Sequence, residues 1–231
     1  MNARLLALAL GVASAAPGAV FRGHDPALAF RPIADKVHGM VIGVRGFVAV
    51  SSDGGEPTVE TLTHGTGALL GKGIAVTTLH AVALPSPEGR MTPLPRVEVL
   101  VPEKGAMPAQ VIAGIPDLDL AILELAADGA ALEGAPPAVG APAPGDPLLA
   151  MAIDDDGVIG VGIEVASVDG DLLSLHGKRM LDSRFWGGPL FDSHGHLAGI
   201  GLMSLAMPKA ISVGAIQRLV EERMRAQVHT Q

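Results

Sequence analysis

Arg184-Phe185-Trp186-Gly187-Gly188-Pro189-Leu190-Phe191-Asp192 is the stretch on which the reading of this chain turns. Two adjacent glycines and a proline punctuate the backbone, and the apolar residues after them start a short strand. Gly195-His196-Leu197-Ala198-Gly199-Ile200 follows, so the strand folds back on itself as a hairpin. Short runs of the same kind recur on both sides. Leu148 to Ile153, Val158 to Val168, Leu172 to Leu175, Pro189 to Asp192, Leu197 to Leu205 and Ala210 to Val213 are separated by Gly, Asp or Ser turns such as Asp169-Gly170-Asp171. They read as the strands of one barrel. Further upstream, Met40 to Val50, Gly67 to Leu70, Ile74 to Thr77, Val97 to Val101, Ala109 to Ile112 and Leu118 to Leu125 read as the strands of another. Between the two series, Ala126 to Gly145 is dense in Ala, Pro and Gly and has little periodicity, as expected of a connection.

The expected fold is therefore all-β, with two six-stranded antiparallel barrels at about 33–125 and 146–231, joined by residues 126–145. A helical turn is expected around Ile33 to His38. A C-terminal helix is expected after Ser212, a suitable N-cap, because Ile216, Leu219, Val220 and Met224 share one face while Arg218, Glu221, Glu222 and Arg225 point away.

Composition agrees with this picture. The chain has 231 residues, 48% of them hydrophobic, enough for a sizeable core, while 30 Gly, 18 Pro and only 3% aromatic residues favour many short elements joined by turns. The net charge is −8, with no run of Lys or Arg, so the phosphate attraction behind nucleic-acid binding is missing. With no Cys there is neither a disulfide framework nor a thiolate for catalysis or metal binding.

Residues 1–15 carry Arg4, an apolar stretch from Leu5 to Ala13 and the small residues Ala13-Ser14-Ala15, the pattern of a cleaved signal peptide. The alternative is a first buried segment of the fold. The apolar stretch is too short to span a bilayer, which takes about 20 residues. Cleavage near Ala15 implies a secreted or periplasmic protein, with no membrane attachment afterwards and with residues 16–32 as an extended lead-in.

Three segments carry a resemblance to a known family. Gly65-Thr66-Gly67-Ala68-Leu69-Leu70, followed by Gly73-Ile74-Ala75-Val76-Thr77-Thr78-Leu79-His80-Ala81-Val82, contains a histidine able to take and return a proton near neutral pH. Asp117-Leu118-Asp119-Leu120-Ala121-Ile122-Leu123 sets an acidic residue just before a strand, and the third segment is the one quoted first. In order and spacing they resemble the trypsin-like serine proteases, especially the HtrA branch. The resemblance covers roughly Ile33 to Val220. It implies two perpendicular barrels with the site between them, His80 as general base, Asp119 as the carboxylate orienting it, and no cofactor or metal. HtrA proteins usually add a C-terminal peptide-binding PDZ domain, and none is expected here.

The same resemblance, registered on Gly187, Gly188, Pro189 and Leu190, places Trp186 where the family has its nucleophilic serine. It also places Arg184 where a glycine N–H helps bind the oxyanion. Trp offers only a ring N–H donor. Ser183 and Ser193 could stand in only if the loop were rebuilt. The implied function is that of a pseudoprotease, a peptide- or protein-binding or regulatory protein with its partner in the interbarrel cleft. The alternatives are an active serine endopeptidase, or a hydrolase or transferase using His80 and Asp119 without a covalent step.

Smaller signals read as surface features. His194 and His196 form an H-x-H pair in the hairpin turn, with no third ligand evident from sequence. His64 and His176 stand alone, and Asp154-Asp155-Asp156-Gly157 lacks the ligand pattern of a calcium loop and reads as a polar hairpin tip.

Overall fold

In Arg96–Val101 the alternation that builds these barrels is plain: Val97, Val99 and Val101 are buried while Arg96 is exposed and Glu98 and Leu100 are half-covered. β-branched side chains suit such a pleated, half-buried surface. The computed structural model describes residues 30–50, 58–154, 157–177, 181–204 and 207–228. Residues 1–15, read as a signal peptide, and the lead-in up to residue 29 lie outside the described residues.

A short helix, α1 (Arg31–Val37), precedes β1 (Val41–Val50), β2 (Thr58–Gly71), β3 (Ile74–Thr78), β4 (Ala83–Pro85), β5 (Met91–Pro93), β6 (Arg96–Val101), β7 (Gly105–Ile115) and β8 (Leu120–Leu125). After a connection come β9 (Pro147–Asp154), β10 (Gly157–Asp169), β11 (Leu172–His176), β12 (Pro189–Phe191), β13 (Leu197–Leu202), β14 (Lys209–Ser212) and the helix α2 (Val213–Val228). Strands β1-β2-β3-β8-β7-β6 close one antiparallel barrel and β10-β11-β14-β13-β12-β9 close the other. The expected pair of six-stranded barrels with a C-terminal helix is thus the observed architecture. No helix among the described residues is long and apolar enough to cross a membrane.

Two features exceed the sequence expectation. β2 begins at Thr58 rather than near Gly67, because the mostly polar stretch Thr58 to His64 pairs backbone to backbone along β1 from Val50 to Arg45. β4 and β5 form a separate hairpin outside the barrel. At the other end, the second barrel's run stops at Leu202 instead of continuing to Leu205.

Each barrel has its own core, one built on residues such as Ile42, Val99 and Leu123, the other on Leu148, Leu173 and Leu190. A third cluster joins them: Val41, Ala68, Val76 and Leu120 from the first barrel pack with Leu149, Met151, Phe191 and Ile200 from the second, together with Ala34 and Val37 of α1. Burying one such large side chain fully stabilises by about 1.5–3 kcal/mol. Several in one cluster hold the barrels against each other, so the cleft between them has fixed walls.

The Ser212 hydroxyl accepts the Ala215 N–H at 3.4 Å, in the manner of an N-cap. Leu219 and Val220 of α2 pack on Ile74, Ile112 and Ile122 of the first barrel, and the Arg223 guanidinium donates to the Ile112 carbonyl at 2.5 Å. The helix that leaves the second barrel therefore docks on the first.

Candidate active site

β3 and β8 run side by side, with Thr78 opposite Leu120, so the chain leaving β3 and the chain entering β8 meet at one end of the first barrel. His80 lies there in a single 3-10 turn, Leu79–Ala81, and Asp119 closes another, Pro116–Leu118, directly before β8. Asp119 is in the left-handed region, at φ 50 and ψ 41. For an L-residue this costs about 1–2 kcal/mol, least for Asn or Asp, and three hydrogen bonds offset it. The Leu79 N–H donates to the Asp119 carbonyl at 2.8 Å, the His80 N–H donates to Asp119 Oδ1 at 3.0 Å, and His80 Nδ1 lies 2.6 Å from Asp119 Oδ2.

The carboxylate side chain is 17% exposed and the imidazole 40%. With Nδ1 committed to Asp119, Nε2 is the nitrogen left for proton exchange with the cleft. Among the described residues no hydroxyl hydrogen-bonds the His80 ring. What faces it is Trp186, with ring centroids 5.9 Å apart and planes at 84° in an edge-to-face arrangement. Such pairs contribute about 0.5–1.5 kcal/mol beyond burial.

The second barrel supplies the loop from Asp182 to Gly188, whose path is set by backbone packed on backbone. Gly187 has φ +77, and a Cβ there would come within 2.4 Å of the Thr66 carbonyl oxygen and 2.8 Å of the Thr78 nitrogen. At Gly188 a Cβ would fall 2.3 Å from the Met151 carbonyl oxygen. Only glycine fits at either position. The Gly187 N–H donates to the Gly201 carbonyl at 2.8 Å and the Gly188 N–H to the Phe185 carbonyl at 3.1 Å. Phe185 is buried, which together with these glycines fixes where Trp186 emerges.

Ser183–Phe185 form a single 3-10 turn capped by Asp182. The Arg184 N–H donates to Asp182 Oδ1 at 3.0 Å, and the Trp186 N–H donates to the Ser183 carbonyl at 3.2 Å. Both backbone donors are thereby used inside the loop. Thr66 ties it down: its hydroxyl donates to the Arg184 carbonyl at 2.8 Å and accepts the Ile153 N–H at 3.1 Å.

The Arg184 side chain reinforces this arrangement. Its Nη2 lies 2.6 Å from Asp182 Oδ2 and its Nη1 3.1 Å from Asp154 Oδ2, across to the end of β9. The Arg184 guanidinium hydrogen bond holds the Asp182 carboxyl below the usual carboxylate range, against the upward push of burial. The same pairing raises the Arg184 pKa.

Among the described residues, the other sequence candidates make no hydrogen bond to the His80 ring. Ser183 is exposed, and its carbonyl is the group that takes the Trp186 N–H. Ser193 sits in the β12–β13 turn with its hydroxyl 3.4 Å from His194 Nδ1, beside a histidine other than His80. His64 is exposed on β2, and His176, at the end of β11, is 3.7 Å from Glu164. Sequence reasoning missed Asp182, Thr66 and the part played by Asp154. The signal for Asp182 was an N-cap residue type placed just before Ser183-Arg184.

The sequence matches the trypsin-like peptidase domain family over residues 65–200, and the chain belongs to that family. No curated protein matches it. Among solved structures, it is similar to the Rv3671c protease in its inactive form, with a TM-score of 0.64 and 16% identity over 88% of this chain and 98% of that one. It is similar also to the active form of the Rv3671c protease from M. tuberculosis, with a TM-score of 0.63 and 18% identity over 92% of this chain and 90% of that one. At these identities the likeness is one of fold, and it is equally close to the two forms.

Proposed function

We propose that this member of the trypsin-like peptidase domain family is a pseudoprotease, in which the scaffold serves peptide or protein binding or regulation rather than hydrolysis. The observation that carries the reading is the Trp186 ring standing edge-to-face with His80, at the position where the family's sequence register requires a serine. Loss of a serine nucleophile costs about a million-fold in turnover in a well-studied unrelated protease, where the residual rate depends on an intact oxyanion hole. Removing one oxyanion donor costs a further 10²–10³-fold, roughly. Here the N–H groups of Arg184 and Trp186 are both spent on Asp182 and the Ser183 carbonyl. Neither contribution to acyl transfer is in place.

A place for a partner exists beside the same loop. A cleft of about 610 Å³ opens between Arg45, His64 and Thr66 of the first barrel and Asp154, Ser183 and Arg184 of the second. Its walls carry charges of both signs, suited to an extended peptide with mixed polar side chains. The N-terminal pattern of residues 1–15, that of a cleaved signal peptide, supports a secreted or periplasmic location.

The decisive experiment treats purified protein with a fluorophosphonate probe and with casein, alongside a His80→Ala variant. No covalent adduct in the intact mass and no casein cleavage are expected from either. An adduct that disappears in His80→Ala would falsify the proposal. Calorimetric titration with a peptide library, on the native chain and on Trp186→Ala, then tests occupancy of the cleft. Heat with some peptides that changes in the variant is expected, whereas no heat with any peptide removes the binding function.

A further inference from the structure

The turn between β12 and β13 carries a group of side chains that the cleft chemistry does not use. We propose that Asp192, His194 and His196 form a zinc site. The H-x-H pair read as a solvated turn for want of a third ligand, and the third group is Asp192 at the end of the preceding strand. One ligand atom from each residue lies within 4.8 Å of the others. Asp192 Oδ2 is 3.3 Å from His196 Nδ1 and 4.0 Å from His194 Nδ1. The two rings stack, with centroids 5.8 Å apart and planes at 18°.

Zinc bonds to imidazole nitrogen and carboxylate oxygen are about 2.0–2.2 Å long, which makes the edge of the ligand tetrahedron roughly 3.4 Å. The Asp192–His196 edge already has that length. The Asp192–His194 edge closes by a small rotation of His194, whose side chain is 75% exposed and has room to move.

The carboxylate is held for this task by its other oxygen. Asp192 Oδ1 accepts the N–H groups of His194 at 2.8 Å and His196 at 2.9 Å, so Oδ2 is turned toward both rings. The Oδ2 contact with His196 Nδ1 is a 3.3 Å hydrogen bond that a zinc ion would replace, and His194 Nδ1 converges on the same oxygen from 4.0 Å without a hydrogen bond to it. The neighbouring cation, Lys36, has its ammonium 3.4 Å from the His194 carbonyl rather than on a ligand atom.

The three ligands line one side of a cavity of about 420 Å³, with Asp146 and Pro142 also in its wall. The cavity leaves room for a fourth, water ligand, and Asp146 lines it with its Oδ2 accepting the Ala143 N–H at 2.7 Å. Two imidazoles and one carboxylate favour zinc over magnesium or calcium, which prefer shells of six or more oxygens. None of these residues belongs to the His80 site, so zinc binding is independent of whether the chain hydrolyses anything.

The test is calorimetric titration of the full chain, stripped with chelator, with zinc chloride at neutral pH. One saturable zinc per chain is expected, with an accompanying rise in Tm. His194→Ala, a substitution at a well-exposed side chain, is expected to weaken binding about 100-fold or more. His196→Ala should do the same, whereas His64→Ala and His80→Ala should not. Magnesium and calcium should give no saturable heat. Absence of saturable zinc binding, affinity unchanged in His194→Ala, or calcium binding as tightly as zinc would each overturn the site.

Discussion

In the first barrel, His80 and Asp119 are joined by a 2.6 Å contact and backed by two backbone hydrogen bonds, a pair still shaped for proton transfer. In the second barrel, the facing loop keeps the Gly187-Gly188 path of a peptidase, yet presents an indole and turns its N–H donors inward. The difference teaches that the structural and chemical duties of that loop are separable. The glycines serve packing against Thr66, Thr78 and Met151, and they remain necessary whatever occupies position 186. The nucleophile serves only the reaction.

The largest test of this contrast puts a hydroxyl at position 186 in the second barrel. Trp186→Ser alone is expected to stay inactive, because the Arg184 N–H remains bonded to Asp182. Trp186→Ser combined with Arg184→Gly, which removes the guanidinium clamp, is expected to react with a fluorophosphonate about 100-fold or more faster than the single variant. Turnover by Trp186→Ser alone would mean that the loop donors are already free to serve an oxyanion.

A second test compares stability across the two barrels. Gly187→Ala forces a Cβ against the Thr66 carbonyl at a positive φ, and should cost about 3 kcal/mol or more. His80→Ala should cost less, about 1–2 kcal/mol, since it removes one partly exposed hydrogen bond and the edge contact with Trp186. Urea melts of the two variants measure the gap, and near-equal losses would contradict the division of duties.

Acid provides a third, smaller probe. The folded-state pKa of Asp182 is depressed, so its contribution is fully present above the ordinary value of about 3.9 and is lost as pH falls through the lower folded value. Trp186 is the only tryptophan and the chain has no tyrosine, so tryptophan emission reports this loop directly. Emission should hold steady down to about pH 4 and change below it. In Arg184→Gly the change should begin at higher pH.

The smallest effect is expected at Thr78, whose hydroxyl is the one buried side-chain polar atom without a partner among the described residues. Thr78→Val should stabilise the protein by about 1 kcal/mol, read as a higher urea midpoint.

Much of this architecture was legible in the chain. The strand runs stood out because inward-facing apolar residues alternate or cluster between Gly, Asp and Pro turns, and His80 and Asp119 stood out through the residues around them. What escaped notice lay in polar or very short segments and in side-chain contacts that a linear reading does not display. The first half of β2 carries too many polar residues to signal a strand, and β4 and β5 are too short. Asp154 looked like part of a polar tip, whereas its carboxylate reaches Arg184. Asp192 looked like a strand end, and only the hairpin's curl brings it to His194 and His196.

The docking of α2 on Ile74, Ile112 and Ile122 has a consequence for biogenesis. Val220 is made well after Leu125, so at synthesis rates of about 5–20 residues per second that greasy surface stays wet for roughly 5–20 s. During this interval the earlier half of the polypeptide is vulnerable to sticking to its neighbours, and the middle turns of α2 act as the latch that ends the risk.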